Sequence, residues 1–114
     1  MLFDQLADRW FLSEFGSGSS LCVFISQTAD PQGAYYSYQF TTPSFPDYPK
    51  YGVWPDAYYA TANESSPSVF ALDRVKMLAG LPATAQRFTA TGLSGFGFEA
   101  LTPADLDGMT PPPA

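Results

Sequence analysis

The sequence predicts an all-β chain, and three observations carry the expectation. Short runs rich in Phe, Tyr, Val and Thr recur along its 114 residues, each closed off by Gly, Pro, Ser, Asn or Asp, as strands and their turns are. A content of 46% hydrophobic and 17% aromatic residues lies far from disordered compositions and calls for a packed core. Helix start and stop signals bracket one stretch alone, LDRVKMLAG.

Taken in order, strands are expected at Arg9–Phe15, Leu21–Gln27, Tyr35–Thr41, Tyr51–Trp54, Ala57–Ala62, Ser68–Leu72, Gln86–Ala90 and Phe96–Leu101. The breaks between them are GSGSS at 16–20, ADPQG at 29–33, PSFPDYP at 43–49 and NESSP at 63–67. NESSP fits the Asn-x-Ser glycosylation pattern but reads as a polar turn. The single helix is short, near 73–80, with Asp73 as N-cap and Gly80 as stop. Pro82 follows at once, so this helix sits on a loop between two strands.

An internal repeat organises these elements. DRWFLSEF from Asp8 aligns with DAYYATAN from Asp56, then LCVFISQ with SVFALDR, then AYYSYQF with QRFTA, at an offset of about 48 residues. Units of roughly 40–50 residues with four strands each are the period of propeller blades. The expected division is a first blade-like repeat at 1–46, a second at 47–91, and a partial third strand with a Pro-rich tail at 92–114, all within one structural domain. The fold class is therefore all-β, with antiparallel four-stranded, propeller-blade-like sheets, about two blades plus the start of a third.

Alternation in AYYATAN puts Tyr58, Ala60 and Ala62 on one face and Tyr59, Thr61 and Asn63 on the other. Small residues beside large aromatics suit sheets stacked face to face, so Tyr58 and Tyr59 read mainly as packing residues. The single Cys22 has no partner for an internal disulfide and lies in the apolar run LCVFIS, where a buried, inert thiol is expected.

Composition also excludes functions. Five basic against eleven acidic residues give a net charge of −6, which repels a phosphate backbone, so no nucleic-acid partner is expected. The apolar runs fall far short of the ~20 residues of a membrane helix, so no membrane partner is expected either. MLFDQLADRW lacks the basic start and apolar core of a signal peptide.

LFDQLADRWFLSEF, LCVFISQTADPQGAYYSYQF, DYPKYGVWPDAYYATANE, FALDRVKMLAG and LTPADLDGMTPPPA resemble the repeats of a group of large, uncharacterised exported bacterial proteins read as β-propellers. The resemblance covers nearly the whole chain, and DYPK and VWPD are its most specific parts. It implies propeller architecture and an extracellular or periplasmic life for the parent protein. It implies no catalytic residue. A closed propeller has at least about four blades, so the chain is expected to be a fragment or to complete a ring by self-association.

The chemistry is bounded by what is missing. With no His and one Cys, Ser-His-Asp and Cys-His catalysis, His metal sites and thiolate clusters are all excluded, and no cofactor is expected. Carboxylates are the remaining catalytic pair, so the alternative function is a fragment of a glycoside hydrolase-like propeller enzyme of the sialidase or arabinanase type using Asp and Glu. Asp8 and Asp56 match across the repeat, which favours a structural job such as capping a turn. PADLDG sets Asp105 and Asp107 two apart before Gly108, the kernel of a calcium loop, but no closing Glu follows, so the two are calcium candidates and no metal is assigned. Aromatic faces with polar neighbours suit a carbohydrate ligand, and Tyr51, Trp54, Asp56 and Tyr58 are the candidate binding residues. In the competing reading all four stack between blades. The function expected is a binding or scaffold module, for carbohydrate or protein.

Overall fold

The computed structural model describes residues 1–92, 101–106, 108, 110 and 112. Over these residues the chain is all-β with one short helix. Strands β1 (Leu2–Asp4), β2 (Arg9–Phe15), β3 (Ser20–Ser26) and β4 (Tyr35–Thr41) form a first antiparallel sheet in the order β1-β2-β3-β4. Strands β5 (Asp47–Val53), β6 (Tyr58–Asn63), β7 (Pro67–Leu72) and β8 (Ala85–Thr89) form a second in the order β5-β6-β7-β8, with α1 (Arg74–Leu78) between β7 and β8. Both sheets are simple meanders, so the strands that the sequence alignment matches, β2 with β6, β3 with β7 and β4 with β8, hold equivalent places. Among the described residues the two sheets do not close into a barrel or a ring.

Register decides which face is buried. Phe11 pairs with Ile25, Val23 with Tyr38 and Leu21 with Phe40, and directly paired residues share a face, so these side chains form the inner face of the first sheet. On the second sheet Tyr51 pairs with Ala60, and Ala60 with Phe70, while Val53 and Leu72 both pair with Tyr58; these make its inner face. The two inner faces meet. Phe11 lies 5.0 Å from the Tyr51 ring and 5.1 Å from Tyr58, and it shares one core with Leu21, Val23, Ile25, Phe70, Leu72 and Met77. Alanines 60 and 62 leave room for Phe11 and the tyrosines, and each large side chain so buried contributes about 1.5–3 kcal/mol.

Polar side chains fasten the same junction. Asp4, at the end of β1, is wholly buried and receives Arg74 Nε at 2.8 Å, Arg74 Nη2 at 3.0 Å and the Tyr58 hydroxyl at 2.7 Å. Its Oδ1 also accepts from the backbone N–H groups of Leu6 and Ala7, capping the turn into β2. A second buried carboxylate, Glu64, accepts from Arg87 Nε at 2.7 Å and from the Ser68 hydroxyl. The segment NESSP is thus more than the polar turn expected, because its Glu64 carboxylate is buried against β8.

Several expectations need correction. β5 begins at Asp47, inside the segment read as a break, because Asp47 pairs with Asn63 and Lys50 with Thr61, leaving Tyr48 and Pro49 opposite one residue as a bulge. Tyr48 takes φ +52° there, and Pro49 is tolerated because a bulge on an edge strand needs no N–H from it. β1 was not expected at all. The strand expected at Phe96–Leu101 lies, except for Leu101, outside the described residues. Cys22 points to the outer face of the first sheet and is half-buried, not sealed in the core.

Candidate functional site

The outer face of the second sheet collects the open chemistry of this chain. Pairing of Tyr59 with Gly52 and Ala71, and of Thr61 with Lys50 and Val69, puts all of these on the side away from the core. At the end of β5 the backbone turns tightly through Pro55 and Asp56, closed by Trp54 N–H donating to Ala57 O at 3.1 Å, and this turn raises the indole and the Asp56 carboxylate beside Tyr59. The Tyr59 hydroxyl donates to Asp56 Oδ2 at 2.7 Å. That bond to a carboxylate, more than burial, pushes the Tyr59 hydroxyl above its usual pKa and keeps it a donor.

Two hollows flank Tyr59. One, of about 320 Å³ and mostly apolar, is lined by Trp54, Tyr59, Thr61, Val69 and the segment Leu101–Ala104. The other, also about 320 Å³ but polar, is lined by Asp56, Ala57, Tyr59, Ala71, Asp73, Thr84 and Gln86. Asp73 enters the second hollow while capping α1, accepting from Lys76 N–H at 3.2 Å and pairing with Lys76 Nζ at 3.1 Å. The Lys76 backbone bond, then the lysine side chain, hold the Asp73 carboxyl below its usual range.

The C-terminal segment crosses the same face. Thr61 Oγ1 donates to Leu101 O at 2.6 Å, and Trp54 Nε1 donates to Ala104 O at 3.0 Å. Between them Pro103 lies on Gly52 so closely that a Cβ there would meet the proline Cβ at 2.8 Å. Further on, Gln5 Nε2 donates to Leu106 O at 3.0 Å and to Gly108 O at 2.9 Å.

The four sequence-nominated residues are therefore split between two faces. Trp54 and Asp56 stand together on the outer face. Tyr51 and Tyr58 face inward, Tyr58 only 1% exposed, and their rings pack on Phe11. Burial, reinforced by the bond to Asp4, raises the Tyr58 hydroxyl far above its usual pKa, so it stays a neutral donor. Burial pushes the Tyr51 hydroxyl above its usual pKa as well. Asp105 lies on the rim of a smaller cavity of about 200 Å³ with Leu2, Gln5 and Gly52, while Asp107 lies outside the described residues. Among the described residues no cluster of three metal-ligating side chains occurs, and no helix is long and apolar enough to cross a membrane.

Sequence reasoning did not place Tyr59 and Thr61 in the site. The available signal was the parity of AYYATAN, which gives Tyr59 two polar companions, Thr61 and Asn63, on its face. Comparison of the chain with family models, with curated proteins and with solved structures yields no match.

Proposed function

We propose that this chain is a binding or scaffold module of an exported bacterial protein of the β-propeller kind, and that the outer face of the second sheet takes a carbohydrate. The observation that carries the reading is the juxtaposition of Trp54 and Tyr59 with Asp56, Asp73 and Gln86 around two adjoining hollows of the outer face. Aromatic faces stack on the C–H groups of a pyranose while carboxylates and the amide take its hydroxyls. A net charge of −6 favours a neutral sugar over an anionic one. Two four-stranded meanders of identical order, packed face to face, support the blade reading alongside the sequence resemblance, and that resemblance supports export.

The glycoside-cleaving alternative needs one carboxyl kept protonated opposite a second across an open pocket. Asp73 shares a hollow with Asp56, but both carboxylates are already engaged, Asp73 by the Lys76 N–H and ammonium and Asp56 by the Tyr59 hydroxyl. Binding is favoured on that ground. Titration of the chain with neutral oligosaccharides, followed by Trp fluorescence, should give saturable changes that Tyr59→Ala or Asp56→Ala abolishes. A flat response to hexose and pentose oligomers at millimolar concentration would remove the carbohydrate reading.

A further inference from the structure

We propose that the apolar half of this outer face is a groove for an extended, proline-containing peptide, and that the chain's own Leu101–Leu106 segment occupies it as an intramolecular ligand. Leu101 sits at Thr61, the partner of Lys50; Pro103 sits on Gly52; Ala104 sits at Trp54. The segment thus keeps pace with β5 almost residue for residue, which requires an extended backbone. Pro103 and its restriction of Thr102 hold that conformation before contact.

The manner of recognition points to a class of ligand and not to one sequence. Both groove donors, the Thr61 hydroxyl and the Trp54 indole N–H, take main-chain carbonyls. The proline needs no N–H partner and drops onto the one position of β5 without a side chain, Gly52. An aromatic-lined groove that reads carbonyls and seats a proline is the physical scheme of proline-rich peptide capture. The hollow of about 320 Å³ beside the segment, lined by Trp54, Tyr59, Thr61 and Val69, leaves room for a bulkier side chain than the resident peptide supplies. Because the occupant is tethered, an outside peptide of the same kind must displace it, so the segment acts as a built-in competitor.

The test uses the full chain and the indole N–H resonances of its two tryptophans. Trp10 Nε1 donates to Ala29 O at 3.0 Å, remote from the groove, and is the internal control. In the parent chain the Trp54 indole should exchange slowly with solvent. Gly52→Ala, which pushes Pro103 away but suits a strand, should speed Trp54 exchange at least tenfold and leave Trp10 unchanged. Pro103→Asp should free the groove, and the peptide Ala-Leu-Thr-Pro-Ala-Asp-Leu added in trans should then restore Trp54 protection, binding at least tenfold more tightly than to the parent chain. The double variant Gly52→Ala/Pro103→Asp should not bind the peptide. Fast Trp54 exchange in the parent chain, or peptide binding that is absent from Pro103→Asp or equal in all variants, would overturn the proposal. These readouts do not depend on sugar, so loss of the carbohydrate reading leaves them intact.

Discussion

Asp4 joins the two sheets through a buried cluster of hydrogen bonds. Five donors converge on its two oxygens, among them both ends of a bidentate guanidinium. Asp4→Asn leaves Arg74 buried without a counter-charge and should cost about 3–5 kcal/mol in urea unfolding. Tyr58→Phe removes one charge-assisted bond and should cost about 1.5–3 kcal/mol. Alkali should expose the same chemistry. Folding raises the pKa of the Tyr51, Tyr58 and Tyr59 hydroxyls, so the unfolded chain releases those protons first. The stability they contribute is complete below about pH 10 and declines as pH rises beyond it. Tyr58→Phe should flatten that decline, and an unchanged alkaline slope would refute the assignment. None of this was legible in advance. Asp4 looks like any residue of a short N-terminal run, and its partner stands 70 positions away.

At the scale of elements, alternation was a sound guide wherever a strand buries one face. LCVFIS, YYSYQF and AYYATAN all landed in strands because packing agrees with propensity there. The failures have specific causes. β1 is too short to show a period, and β5 hides its start behind Pro49, which the bulge absorbs. Within the candidate site, Trp54 and Asp56 were legible from VWPD, whereas the division of Tyr58 from Tyr59 depends on which face meets Phe11. The end of α1 offers a clean test. Gly80 adopts φ +68°, and a Cβ there would meet the Tyr36 ring at 2.4 Å. Gly80→Ala should lower stability by about 1–3 kcal/mol, measured by chemical denaturation, and Tyr36→Ala should relieve part of that loss.

For the molecule as a whole, the outer face of the first sheet carries a partly exposed apolar cluster near β1. Phe3, 42% exposed, packs tilted against Trp10 with ring centroids 4.9 Å apart, and Leu12 and Phe24 lie on the same face. Apolar patches of this kind are rare on soluble monomers, and an edge such as β8 invites a partner strand. Self-association follows as an expectation, with three copies giving six sheets. Light scattering after size exclusion should report a mass above 12.4 kDa, and Phe3→Lys should move it toward the monomer. A monodisperse monomer at tens of micromolar would end that expectation.

The clasp between Asp4 and Arg74 also sets an order of events during synthesis. At about 5–20 residues per second, the ribosome needs roughly 4 to 14 s to add the 70 positions that separate them. In the later part of that interval, once Thr41 has been added, the first sheet has every strand it requires but no cation for Asp4. Nascent chains stalled before Arg74 should therefore be cut readily by protease, and completed chains should resist. The amino-terminal half is made first and secured last.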